Sequence, residues 1–168
     1  MGINYRGRNE ANINNSVFYP VSLCFQMRIM GLDIGDKYIG IAVSDPLCMF
    51  AQPFKVITRT GDDDVMEELK GIVADSEVSR VVFGLPKNMN GSIGPQAEKV
   101  LDFMERLKQV IVSSHEGNVI EFLPWDERLS SRAAENAMLE AGLSRNKRKQ
   151  MVDKIAAAII LQGYLDSR

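Results

Sequence analysis

Met30-Gly31-Leu32-Asp33-Ile34-Gly35-Asp36-Lys37-Tyr38-Ile39-Gly40-Ile41-Ala42-Val43-Ser44-Asp45 is the stretch whose reading decides the fold. Asp33 stands among Met30, Leu32 and Ile34, in what reads as a buried strand. An acid there is costly unless it meets a cation, a proton or a hydrogen-bond donor. A second apolar run, 39–44, begins so soon afterwards that a tight glycine-containing hairpin is the natural connection. A carboxylate on the first strand of such a hairpin, beside glycines that admit a phosphate, points to metal-dependent phosphate chemistry.

Working outward, residues 28–34, 39–44 and 53–58 predict three strands joined by short turns. Asp62, Asp63 and Asp64 then open a helix, where acids favour the positive end of the dipole. Its buried stripe is Val65, Leu69, Ile72 and Val73. A β-branched strand over 80–85 stops at Pro86, and a polar loop follows with Asn90-Gly91 turn chemistry. Pro95 suits the first turn of a helix lined by Val100, Phe103, Met104, Leu107 and Ile111. A fifth strand is expected over 119–125, then a helix capped by Ser130 or Ser131 and ended by Gly142. The last helix is expected over 147–165.

This order predicts an α/β fold: a mixed five-stranded sheet of three antiparallel strands followed by βα units, with helices on both faces. Strands that enter through crossovers lie parallel to the first, so their C-terminal ends share an edge with Asp33. Open α/β sheets bind ligands at that edge.

A chain of 168 residues has room for one domain with a sizeable core, expected over 27–168. Residues 1–26 read as a dispensable, poorly ordered extension; an additional edge strand over 17–25 is the competing expectation. Apolar content of 45% and charged content of 25% are those of an ordinary soluble protein. A net charge of -2 excludes a generic nucleic-acid coat, so any nucleic-acid site must be a local basic patch. Cys24 and Cys48 are too few for a disulfide framework and read as reduced thiols of a cytoplasmic protein. No apolar run approaches the ~20 residues that span a bilayer, and no membrane association is expected.

Further acids complete the chemical reading. Asp126 and Glu127 follow the fifth strand; alone, they read as a solvated strand end, and strand register must decide which of them turns towards Asp33. Asp153 changes that weighting. It shares a helical stripe with Ala156, Ala157, Ile160 and Tyr164, and an acid on an apolar stripe is rarely a mere solvated charge; an N-terminal-turn residue held by nearby amides is the competing reading. The small neighbours Ala156 and Ala157 would let the helix approach the sheet closely. Carboxylates brought together cannot all stay ionised without a counterion. Hard oxygen donors suit Mg²⁺ or Mn²⁺, and two such ions roughly 3.5–4 Å apart would serve in-line attack on a phosphodiester. The lone His115 argues against a histidine-rich site. Lys37, Lys87, Asn90, Arg128, Arg145, Lys147 and Arg148 are the candidates for holding a nucleic-acid backbone.

The residues assembled in this way resemble the YqgF family of Holliday-junction-resolvase-like proteins. The resemblance rests on residues 32–45, on Val-Phe-Gly-Leu-Pro-Lys-Asn-Met-Asn-Gly-Ser (82–92), on Asp-Glu-Arg-Leu-Ser-Ser (126–131) and on Val-Asp-Lys-Ile-Ala-Ala-Ala-Ile-Ile-Leu (152–161). It implies an RNase H-like fold and a cytoplasmic nuclease that matures the 5′ end of 16S ribosomal RNA. It also implies catalytic, metal-holding acids at Asp33, at the Asp126-Glu127 pair and at Asp153, in a monomer or homodimer. Members often carry a basic residue where this chain has Tyr38. Branched DNA is the alternative substrate. Two other classes compete. A sugar-kinase-type ATPase also opens on Asp-x-Gly and a hairpin, but needs two such domains and more length than is present. A non-catalytic module would use the same basic edge to bind structured RNA or a ribosomal partner.

Overall fold

The computed structural model describes residues 27–113, 119–126 and 145–168, the side chains of 145–154 excepted. The N-terminal extension with Cys24, and His115, Glu127, Arg128 and the helix expected between Ser130 and Gly142, lie outside the described residues.

Strands β1 (Arg28–Ile34), β2 (Tyr38–Ser44) and β3 (Ala51–Thr58) come first, followed by helix α1 (Asp62–Asp75). Then come β4 (Val78–Leu85), α2 (Pro95–Val112), β5 (Glu121–Asp126) and α3 (Arg145–Asp166). The strands form one sheet in the order β3-β2-β1-β4-β5. β1 pairs antiparallel with β2, and β2 with β3, whereas β4 runs parallel to β1 and β5 parallel to β4. This is the expected mixed five-stranded sheet, and β1, β4 and β5 end at a common edge.

Element boundaries differ from the sequence pattern where pairing overrides it. β3 starts at Ala51 rather than residue 53 because Ala51 and Gln52 pair with Ser44 and Val43. Both β3 residues lack the apolar alternation that would announce a strand. β5 starts later than expected, at Glu121, whose partner is Arg80, while Val119 is 96% exposed.

The two faces of the sheet are covered differently. Met30, Leu32, Ile34, Ile39, Ile41, Val81, Phe83 and Leu85 pack with Val65, Met66, Leu69 and Val73 of α1 and Val100, Phe103, Leu107 and Ile111 of α2. Large aliphatic side chains meet there, and each full burial contributes about 1.5–3 kcal/mol. Ile72, expected in the α1 stripe, is only partly buried, and Met66 takes a core place beside it. On the opposite face α3 lies across β2, β1 and β3. Its Ala157, Ala158, Ile160 and Leu161 meet Ile29, Ala42 and Val82. A methyl placed on Gly31 would lie 2.7 Å from Leu161 Cβ and 2.8 Å from the Ala157 carbonyl oxygen, so α3 rides directly on the β1 backbone. The carboxamide of Gln162 pins it further, accepting from Ala51 N–H at 2.8 Å and donating to the Met49 carbonyl at 3.1 Å.

Candidate nuclease site

Asp33 is half-buried in β1, directly opposite Gly40 of β2. Side chains alternate across a strand, so Asp33 shares the α3 face with Gly31. A methyl on Gly40 would stand 3.5 Å from Asp33 Cβ and 3.4 Å from Ala157 Cβ. One glycine and one alanine therefore separate the acid from the helix. Successive turns of α3 step along β1 towards its C-terminal edge, from Leu161 over Gly31 to Ala157 over Gly40. Asp153 is one turn further on along the backbone of α3, on the Ala157–Leu161 stripe. The close approach foreseen from Ala156 and Ala157 is present at Ala157, with Ala158 rather than the only partly buried Ala156 beside it in the core, and its other half is Gly31 and Gly40.

Register separates the remaining acids. Leu32, Phe83 and Pro124 stand in one row across β1, β4 and β5, followed by a Gly84–Trp125 row and then Leu85–Asp126. Trp125 packs on the α3 face against Tyr164, with ring centroids 5.8 Å apart. Asp126, opposite the α1/α2-facing Leu85, therefore belongs to the face that Asp33 does not share. Its Oδ2 lies 3.9 Å from Lys87 Nζ. Among the described residues and side chains, no three His, Cys, Asp or Glu groups come together as a metal site. The donors on offer at the edge are carboxylate oxygens, which suit a hard divalent cation.

The basic and polar candidates are arranged as follows. Lys37 is exposed on the β1–β2 turn, its Nζ 6.0 Å from the Tyr38 ring. That turn is tight: Gly35 N–H donates to the Tyr38 carbonyl at 2.9 Å, which leaves no room for a side chain at Gly35. The loop after β4 is bonded internally. Asn90 Oδ1 accepts from Ser92 N–H at 3.0 Å and from its hydroxyl at 2.7 Å, with Gly91 in the left-handed region at φ 83°. The oxygen of Asn90 thus shapes the loop itself, and Lys87 stands at the loop's base. Arg145, Lys147 and Arg148 belong to the first turn of α3.

A cleft of about 510 Å³ opens on the other side of the β1–β2 turn, lined by Asp36, Arg59, Asp62, Lys99 and Arg106 among others. These five charges are mutually paired: Arg59 and Arg106 with Asp62 at 2.8 and 2.6 Å, and Lys99 with Asp36 at 3.2 Å. Arg59, above all, holds its acid partner charged, keeping the Asp62 carboxyl below the ordinary aspartate range against partial desolvation, and Arg106 adds to the effect.

A family model described as RuvX, Holliday junction resolvase, matches residues 27–167. The chain belongs to this family. A relative from Clostridioides difficile (strain 630) is 55% identical over 139 residues, covering 83% of this chain and 94% of its own. One from Clostridium botulinum (strain Hall) is 55% identical over 141 residues, 84% of this chain and 98% of its own. Both are named "Putative pre-16S rRNA nuclease". Among solved structures, Thermus thermophilus RuvC in complex with a Holliday junction substrate matches with a TM-score of 0.52 at 13% identity, over 84% of this chain and 96% of that one. The yeast mitochondrial Holliday junction resolvase Ydc2 matches with a TM-score of 0.50 at 11% identity, over 83% of this chain and 78% of that one. These likenesses establish the RNase H-like fold.

Two residues of this RuvX chain stand out in three dimensions although the sequence does not announce them. Gly40 reads as one more small residue in an apolar strand until its pairing with Asp33 is known. Arg59 follows a strand end and looks like a solvated charge; its spacing of three residues to Asp62 was the available signal.

Proposed function

We propose that this RuvX chain is a divalent-metal-dependent endonuclease that hydrolyses phosphodiester bonds in structured nucleic acid, with the 5′ end of precursor 16S rRNA as the favoured site. The observation that carries the reading is Asp33: a half-buried carboxylate at the C-terminal edge of the sheet, facing the stripe of α3 that leads to Asp153. The names of the relatives at 55% identity support the RNA substrate. The family description favours junction DNA as a second reading.

Asp33 and Asp153 would hold Mg²⁺ or Mn²⁺. From the Asp126-Glu127 pair we assign Glu127, because register commits Asp126 to the face that Asp33 does not share. Bound divalent ions would supply a water activated for attack and would neutralise charge on the phosphate. The chain's own part is positional. Gly40 and Ala157 add little bulk of their own beside Asp33. Lys37, Lys87, Arg128, Arg145, Lys147 and Arg148 would hold flanking phosphates, with contacts that weaken as salt rises. Asn90 contributes by shaping the loop beside Lys87. The proposed compartment is the cytoplasm. Among the described residues no helix is long and apolar enough to cross a membrane.

The test is cleavage of labelled precursor 16S RNA and of a four-way DNA junction, with Mg²⁺, Mn²⁺ or excess chelator. Wild type should cut the RNA only with metal. Asp33→Asn and Asp153→Asn should lower cutting by about 10²–10³-fold, and Glu127→Gln should harm it far more than Asp126→Asn. Cutting of the junction alone overturns the RNA assignment. RNA binding without cutting, unchanged by Asp33→Asn, makes the chain a binding module and sinks the nuclease reading.

A further inference from the structure

The backbone of the turn that follows Asp33 is held from outside the proposed site by one side chain, whereas Lys99 reaches only the Asp36 carboxylate there, at 3.2 Å. Arg59 Nη1 donates to the Gly35 carbonyl at 3.1 Å, and the Arg59 backbone N–H donates to the Lys37 carbonyl at 3.0 Å. The same guanidinium donates through Nη2 to Asp62 Oδ1 at 2.8 Å and lies 5.0 Å from the centroid of the Phe103 ring. Phe103 is a core residue of α2, only 3% exposed, so the guanidinium sits on a rigid platform. Asp62 opens α1 and accepts a second charged bond from Arg106 of α2 at 2.6 Å. Four separately folded pieces therefore meet at one planar cation: the β1–β2 turn, the end of β3, the first turn of α1 and the middle of α2.

We infer that Arg59 is a positioning residue of the proposed nuclease site, fixing the Gly35–Lys37 turn and through it the end of β1 that carries Asp33 and the exposed Lys37. The inference rests on the nuclease reading for its catalytic consequence but not for its structural one. A guanidinium is suited to the task because its fixed fork serves a carbonyl and a carboxylate at once while its face stacks on an aromatic ring. Lysine has the charge without the fork. Arg59 does not face α3, so it has no place among the groups that would touch metal or phosphate; it acts only through the turn.

The experiment compares Arg59→Met, Arg59→Lys and Arg106→Met in the full chain. Arg106→Met removes a cation from the same Asp62 but leaves the turn untouched. Two readouts are taken. Amide hydrogen exchange over residues 35–38 reports the turn directly, whether or not the protein cuts RNA. Steady-state cleavage of precursor 16S RNA separates kcat from KM. For Arg59→Met we expect exchange in the turn to rise by about tenfold or more with α2 amides unchanged. We expect kcat to fall by about tenfold, with KM held within about twofold. Arg59→Lys should fall between wild type and Arg59→Met, and Arg106→Met should match wild type in both readouts. Unchanged exchange in the turn overturns the inference, as does an equal loss in Arg106→Met or a loss that vanishes once rates are scaled to the folded fraction. A rise in KM at constant kcat also overturns it, because Arg59 would then be touching substrate. If Arg59→Met does not fold, Arg59→Lys carries the same comparison. Wild type that cuts no substrate refutes the nuclease reading alone, and the exchange arm still decides the role of Arg59 in the turn.

Discussion

Along β1, Met30, Leu32 and Ile34 face α1 and α2, while Ile29, Gly31 and Asp33 face α3. The same seven residues thus build two unlike surfaces. One is a layer of large aliphatic side chains packed against α1 and α2. The other is lined by Gly31, Gly40, Ala42 and Ala157, which bring a helix backbone onto the strand and leave an acid half-buried beside it. Bulk stabilises the first face. On the nuclease reading, the second face is the one at which Asp33 would serve a phosphate.

If the faces divide the labour in this way, substitutions should separate activity from stability. The largest effect is expected from Asp33→Asn, which should lower cleavage by about 10²–10³-fold, the scale of losing one charged stabiliser of a transition state, while the unfolding midpoint stays put or rises. A variant that unfolds instead would place Asp33 in the scaffold and erase the distinction. On the opposite face, Leu107→Ala removes a fully buried side chain and should cost about 2–5 kcal/mol in denaturant unfolding. Cleavage per folded molecule should be unchanged; a fall in kcat at full folding would show that the two faces are coupled. Gly31→Ala comes next. The added methyl has no room against Leu161 and the Ala157 carbonyl, so overpacking of about 1–3 kcal/mol is expected. Here activity should fall as well, since α3 carries Asp153, and a neutral outcome in both measurements would show that α3 is not tightly seated.

The smallest effect is a matter of pH. Asp62 has its carboxyl held below the ordinary value of 3.8, first by the hydrogen bond from Arg59 and then, against partial desolvation, by Arg106. A depressed acid contributes stability that is present above its unfolded value and disappears as pH falls through the folded one. Asp62→Asn should therefore be less stable than wild type at neutral pH, with the gap closing only in the acid range. The pair is partly exposed, so the gap should be small and shrink with added salt. Melting temperatures across pH at two salt concentrations check this, and a gap that opens towards acid would reverse the assignment.

The α1/α2 face was legible in the sequence because it obeys periodicity: Val100, Phe103, Met104, Leu107 and Ile111 recur at helical spacing, and all are buried. The hairpin around Asp33 was legible too, from two apolar runs on either side of Gly35-Asp36-Lys37. Less could be read about the site. Asp33 and Asp153 announced themselves as acids on apolar patterns, but nothing local says that Gly40 is the residue between Asp33 and the helix. That is a matter of antiparallel register, set when β2 pairs with β1. Register likewise separates Asp126 from the face of Asp33, a distinction that two adjacent acids in a sequence do not contain. Apart from its spacing to Asp62, the role of Arg59 was hidden for the same reason, since its partners Gly35 and Phe103 are far from it along the chain.

The sequence by itself determined the described strands and helices and the mixed sheet, because hydrophobic periodicity and turn chemistry are properties of neighbours along the chain. It also determined which residues carry charge onto apolar surfaces. Only the tertiary structure decided which faces Asp33 and Asp126 take, how near α3 comes to Asp33 and which side chain braces the backbone of the turn beside it. Those outcomes depend on pairing register and on contacts between distant segments, where a shift of one residue moves a side chain to the other face of the sheet.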